Sequence, residues 1–121
     1  MKKILLIEDD QFISDIYTTK LKSSGFEVEG ASDVQEGIQK LKQSRFDLVL
    51  LDLILPNENG WTLFSEIQKD DTLRDLKIIV CSNLSQKEDI DKAIKMGAIK
   101  YLIKANYTPS EIVEEVKKTL S

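Results

Sequence analysis

A chain of 121 residues, 41% apolar and 31% charged, holds enough material for one domain with one core. Its 21 acidic residues outnumber 17 basic ones, and the net charge of −4 argues against a general nucleic-acid-binding surface. With no histidine and a single cysteine, the chain can form neither an internal disulfide, a zinc-type cluster, nor a Ser-His or Cys-His nucleophile pair.

The start, MKKILLIEDD, turns acidic too early for a secretory signal. Residues 4–7 are an unbroken apolar run, the pattern of a strand buried on both faces. Phe12, Ile13, Ile16, Tyr17 and Leu21 then recur at helical spacing, with Gly25 as the stop. Residues 26–30 alternate, with Glu27 and Glu29 outward, which predicts an edge strand. Val34, Ile38 and Leu41 form a second helical stripe, entered through a Ser32–Gln35 capping box. A second apolar run, 48–51, precedes a third stripe of Leu63, Phe64 and Ile67. A third run, 78–81, precedes a fourth stripe of Ile90, Ala93 and Ile94, entered through Ser85–Glu88 and closed by Gly97. Residues 99–103, interrupted by Lys100, suggest another edge strand. Ile112, Val113, Val116 and Leu120 complete the series, opened by Thr108, Pro109 and Glu111. No run reaches the ~20 apolar residues of a membrane span, so no membrane contact and a cytoplasmic location are expected.

Strand and helix thus alternate five times. The expectation is an α/β fold, a doubly wound five-stranded parallel sheet between helix layers, as one domain over residues 1–121. Strands 1, 3 and 4 read as central and strands 2 and 5 as edges, which the order 2-1-3-4-5 satisfies. Ligands of such sheets bind outside the carboxyl ends of the strands.

Those ends carry chemistry. The first strand ends in Glu8, Asp9 and Asp10, the third in Asp52, the fourth at Ser82 and the fifth at Lys104. Asp10 reads as the cap of the first helix. Asp9 and Asp52, with Glu8 nearby, would crowd negative charge; at ~5 Å and an effective dielectric of ~20 each like pair costs about 3 kcal/mol. Lys104 offsets one charge, and an all-oxygen site of this kind suits Mg²⁺. A carboxylate beside a bound cation can act as a nucleophile toward phosphorus, which singles out Asp52. Lys104 and the Ser82 hydroxyl could then hold phosphoryl oxygens. Taken singly, Asp52 reads as turn chemistry, Ser82 as a strand-end turn residue and Lys104 as a solvated edge lysine.

Four segments, ILLIEDD, DLVLLDLILPNENG, IIVCSN and GAIKYLIK, resemble in order and spacing the response-regulator receiver domains of bacterial two-component signalling, over essentially the whole chain. The resemblance implies a CheY-like, flavodoxin-like sandwich in which Asp52 is the phosphoacceptor. It implies Asp9 as direct Mg²⁺ ligand, Glu8 acting through water, and the backbone carbonyl of Ile54 as a further ligand. Ser82 and Lys104 match the hydroxyl and lysine that read the phosphoryl group, and Tyr101 matches the aromatic switch position. The implied function is a phosphorylation switch that promotes its own phosphorylation and dephosphorylation without being an enzyme in the ordinary sense. The implied donor is a sensor histidine kinase or a histidine phosphotransfer protein. A downstream protein target is expected on the face of the fourth helix, fifth strand and fifth helix, roughly residues 85–120. The chain departs from the pattern at Ala105, where a proline in a cis bond is usual and where a trans bond is expected here. It departs also at Asn83, usually a small residue, and at Glu58, usually apolar, while Pro56, Asn59 and Gly60 match.

The rival readings are weaker. A flavin module needs a hydroxyl- and glycine-rich loop where this chain has EDDQF, and no G-x-x-x-x-G-K appears. A phosphatase with an aspartate nucleophile, by resemblance to such enzymes, carries a second acid where Ile54 stands. The remaining alternative is a receiver-like interaction module independent of phosphorylation. Cys81 reads as a core thiol, and Trp61 as packing at the start of the third helix. The chain ends soon after its fifth helix, as a stand-alone regulator or a piece of a larger one would.

Overall fold

The computed structural model describes residues 1–55 and 58–121, with Glu58 and Asn59 described by backbone alone. The sheet strands are β1 (Lys3–Ile7), β2 (Glu27–Ala31), β3 (Leu48–Leu51), β4 (Lys77–Ser82) and β5 (Lys100–Ile103). The helices are α1 (Gln11–Ser23), α2 (Val34–Gln43), α3 (Trp61–Gln68), α4 (Lys87–Met96) and α5 (Pro109–Leu120). All strand pairs in the sheet are parallel, in the order β2-β1-β3-β4-β5, so the expected 2-1-3-4-5 arrangement holds. An element not foreseen is a short antiparallel ribbon pairing Ile54 with Asn59 and Leu55 with Glu58. Pro56, Asn57 and the side chains of Glu58 and Asn59 lie outside the described residues, and with them the family matches at Pro56 and Asn59 and the Glu58 departure noted above.

Strand alternation builds two cores. Leu5, Ile7, Val49, Leu51, Ile78 and Val80 face α2, α3 and α4, where they meet Val34, Leu41, Leu63, Phe64 and Ala93. Ile4, Leu6, Leu48, Leu50, Ile79, Cys81 and Leu102 face α1 and α5, where they meet Tyr17, Leu21, Ile112, Val113 and Val116. Each such aliphatic side chain contributes about 1.5–3 kcal/mol by leaving water, so the three central strands dominate the stability. The outer strands β2 and β5 are only partly covered, as edges are. Cys81 is a buried thiol 3.8 Å from the Tyr17 hydroxyl, and burial pushes its pKa up to about 11.

Several local expectations shift. Phe12 is 75% exposed. It precedes Ile13 by one residue, so it points about 100° away from the stripe that reaches the sheet. The cap of α2 is Asp33, whose Oδ1 accepts from the Glu36 N–H at 2.8 Å. The Ser32 N–H and hydroxyl instead donate to Glu36 Oε1, so the reciprocal pattern sits one residue later than Ser32–Gln35. The cap position of α4 is Gln86 rather than Ser85, without a side-chain bond, and Glu88 and Asp89 in the first turn complement the helix dipole instead. At α5 the Thr108–Glu111 box is complete, with bonds of 2.8 and 3.1 Å. Gly97 ends α4 at φ +123°, a conformation that an L side chain resists. No helix among the described residues is long and apolar enough to cross a membrane.

Candidate functional site

Register places the strand-end residues. Ile7 pairs with Leu51, so Glu8 and Asp52 leave the sheet side by side. Ser82 pairs with Ile103, so Lys104 leaves β5 beside the end of β4. The Asp52 N–H still bonds the Ile7 carbonyl at 3.1 Å, and the Glu8 N–H the Ala31 carbonyl at 3.0 Å, which holds both acids at the rim. Asp10 caps α1, its carboxylate accepting from the Phe12 and Ile13 N–H groups at 3.0 and 3.2 Å.

Carboxylate oxygens of Glu8, Asp9 and Asp52 lie within 4.8 Å of one another. Glu8 and Asp52 are buried, while Asp9 is exposed. Lys104 Nζ donates to Asp52 Oδ2 at 2.7 Å and to Glu8 Oε2. The other Asp52 oxygen accepts the Ile54 N–H at 3.0 Å, and the other Glu8 oxygen accepts the Asp10 N–H at 3.2 Å. Burial raises the Glu8 pKa, and the Lys104 ammonium only partly reverses it. Burial works to lower the pKa of Lys104, but its bonds to Asp52 and Glu8 prevail and keep the ammonium charged beyond its ordinary range. Three acids against one lysine leave the cluster short of positive charge.

A cleft of about 410 Å³ opens over Glu8, Asp9, Asp52 and Lys104, rimmed by Ile13, Ile54 and Asn83. Magnesium binds oxygen at about 2.1 Å, so two opposite ligands stand roughly 4.2 Å apart. The carboxylate spacing, together with the openness of Asp9 to solvent, therefore fits a small divalent ion held partly through water.

Ser82 and Tyr101 do not line that cleft. The Ser82 side chain is fully buried and accepts the Leu84 N–H at 3.3 Å, while the Tyr101 hydroxyl donates to the Leu84 carbonyl. One peptide segment thus links them. Burial is the main cause that pushes the Tyr101 pKa up to about 12. The peptide between Lys104 and Ala105 is trans, like every described peptide bond. Lys104 opens a short 3-10 turn, Lys104–Asn106, that the strand reading did not foresee. Asn83 does not bond the acids: its Oδ1 accepts the Ala105 N–H at 3.0 Å. Gly60 is needed for a close approach, since a Cβ there would sit 2.8 Å from the Asp52 carbonyl oxygen. Trp61 opens α3, its ring 6.1 Å from Phe64 and under the Lys92 ammonium at 4.2 Å.

A doubly wound sheet whose carboxyl rim gathers three acids and a lysine defines a receiver. The chain belongs to the response regulator receiver domain family of two-component systems, whose model matches residues 4–117. It is 34% identical to the chemotaxis protein CheY of Thermotoga maritima over 118 residues, which cover 97% of this chain and 96% of that one. It is 32% identical over 120 residues to RpaA of Synechocystis, a DNA-binding dual master transcriptional regulator, covering 99% of this chain but 49% of that protein. Against relatives of that kind the chain spans about half the length. The crystal structure of a CheY-like receiver domain protein from Methanospirillum hungatei superposes with a TM-score of 0.86 at 30% identity, covering 99% of this chain and 94% of that one.

Proposed function

We propose that residues 1–121 act as a single phosphorylation-dependent switch in which Asp52 accepts a phosphoryl group from a histidine kinase or phosphotransfer protein. The observation that carries this reading is the convergence of Glu8, Asp9 and Asp52, from the ends of β1 and β3, on a cleft whose charge Lys104 alone does not balance. Asp9 and Asp52 would hold Mg²⁺ directly, Glu8 through water, and the Ile54 carbonyl would complete the protein ligands. A bound magnesium ion supplies positive charge that lets an anionic phosphoryl group approach carboxylates.

The chain's own residues do the rest. A carboxylate oxygen of Asp52 forms a bond to phosphorus as the phosphorus–nitrogen bond of the donor's phosphohistidine breaks, the electron pair leaving with the imidazole. The Ile54 N–H holds Asp52 Oδ1 and so orients the carboxylate. Lys104 transfers its hydrogen bonding from Asp52 to a phosphoryl oxygen, where an ammonium stabilises the charge of the transition state. The Ser82 hydroxyl turns to another oxygen and releases the Leu84 N–H. Because the same residue's carbonyl holds the Tyr101 hydroxyl, that release reaches β5. The output is a changed α4–β5–α5 face, where Ile94 and Ile99 stand half exposed for a downstream protein. The place of action is the cytoplasm, and no nucleic-acid contact is assigned to these residues.

The test is intact mass of the purified protein after acetyl phosphate and Mg²⁺. The expected result is one phosphoryl adduct, absent in Asp52→Asn, with Mg²⁺ binding lost in Asp9→Ala and largely kept in Lys104→Ala. The ion pairs of Lys104 with Glu8 and Asp52 are also compatible with one alternative, an interaction module that needs no phosphorylation. No adduct under any donor would establish that alternative.

A further inference from the structure

Asn83 and Ala105 meet at the mouth of the cleft, from the loops that follow β4 and β5. The donor there is a backbone N–H, which cannot accept, so the Asn83 amide must present its oxygen to Ala105. Ala105 is the second residue of the turn Lys104–Asn106, and the first N–H groups of such a turn have no partner within it. Asn83 supplies one. The fastened peptide is the one that joins Ala105 to Lys104, whose ammonium bridges Glu8 and Asp52.

We infer that Asn83 is a positioning residue for Lys104: by accepting the Ala105 N–H it fixes the backbone from which the lysine reaches into the cleft. A lysine carries a point charge on a flexible four-carbon stem, so the place of its base limits where the charge can stand. Residues 83 and 105 work as a pair. A proline at 105 has no N–H to give, and it would also disfavour the helical backbone that Lys104 adopts in the turn. The consequence for phosphoryl binding rests on the function proposed above, whereas the clasp itself is independent of it.

Two measurements separate these. The first needs no ligand: hydrogen exchange of the Ala105 amide, expected to quicken about fivefold or more in Asn83→Ala, the factor one hydrogen bond is worth. Unchanged exchange would overturn the clasp. The second is titration with beryllofluoride in Mg²⁺ across Asn83→Ala, Lys104→Ala and the double variant. Asn83→Ala is expected to weaken beryllofluoride about fivefold with Mg²⁺ affinity unchanged, and to add nothing once Lys104 is gone. Ala105→Pro should weaken beryllofluoride at least as much as Asn83→Ala, because it removes the N–H and also disfavours the turn at Lys104. An Asn83→Ala effect that persists in the Lys104→Ala background would overturn the inference, because Asn83 would then act on the ligand directly. Wild-type protein that binds Mg²⁺ but no beryllofluoride would sink the proposed function, and the exchange measurement alone would then decide the clasp.

Discussion

At the amino ends of the strands each lysine has its own partner. Lys3 Nζ bonds Glu29 at 2.7 Å, Lys77 donates to the Thr119 carbonyl at 3.1 Å, and Lys100 bonds Glu115 at 2.9 Å. Asp47, just before β3, accepts the Lys3 backbone N–H at 2.8 Å. At the carboxyl ends Glu8 and Asp52 share the ammonium of Lys104, and the Asp9 carboxylate lies beside them. The first rim is satisfied as it stands; its pairs are partly exposed and each is worth a few tenths of a kcal/mol. The second is largely buried, at Glu8 and Asp52, and unbalanced, and a site left short of positive charge is primed for a cation or for a proton. That asymmetry is what the proposed function rests on.

Removing one lysine from each rim is the harshest trial of this contrast. Lys104→Met should cost about 3–5 kcal/mol of folding free energy near neutral pH, because two buried carboxylates lose their partner. Lys100→Met should cost about 0.5 kcal/mol. Urea titrations with and without Mg²⁺ check both, and the ion should recover part of the first loss and none of the second. Equal losses would erase the distinction between the rims.

A smaller effect is expected at Gly60. Its added Cβ would stand 2.8 Å from the Asp52 carbonyl oxygen and 2.9 Å from Leu53 Cα, both backbone atoms that cannot step aside cheaply. Gly60→Ala should therefore lower stability by about 1–3 kcal/mol, read by thermal unfolding, with Mg²⁺ binding weakened alongside. Tyr101→Phe should cost about 1 kcal/mol by freeing the Leu84 carbonyl. Its sharper signature is that beryllofluoride still binds while the chemical-shift changes in α4 and β5 shrink.

The least effect belongs to the quiet rim and depends on pH. The Lys100 ammonium holds the Glu115 carboxyl below its ordinary value of 4.5. The stabilisation is then fully present above that value and is lost as pH falls through the lower folded one. Wild type should exceed Glu115→Gln by roughly 0.3–0.5 kcal/mol at pH 7, discounted for solvent screening, with the gap closing in acid. A gap that widened in acid would reverse the sign of the argument.

Much of this was legible beforehand for local reasons. Unbroken apolar runs such as 48–51 mark strands buried on both faces, and Glu27 and Glu29 mark an edge. Once strands were placed, the acids and lysine at their ends followed. The Thr108–Glu111 cap was equally readable because all its partners lie within four residues. Where two local solutions compete, as Ser32 and Asp33 do for the start of α2, the pattern does not choose between them; the geometry of the entering chain does.

Periodicity by itself determined the class of fold and which strands are central and which are edges; the order 2-1-3-4-5, which brings the strand-end acids together, is one common doubly wound arrangement that satisfies this and is also the one the family resemblance implies. Only the tertiary structure decided how the converged groups are held. The Asn83–Ala105 bond and the bond from the Tyr101 hydroxyl to the Leu84 carbonyl tie the loop after β4 to β5 and the turn that follows it, and a hydrogen bond across about 20 positions leaves no periodic trace in a chain.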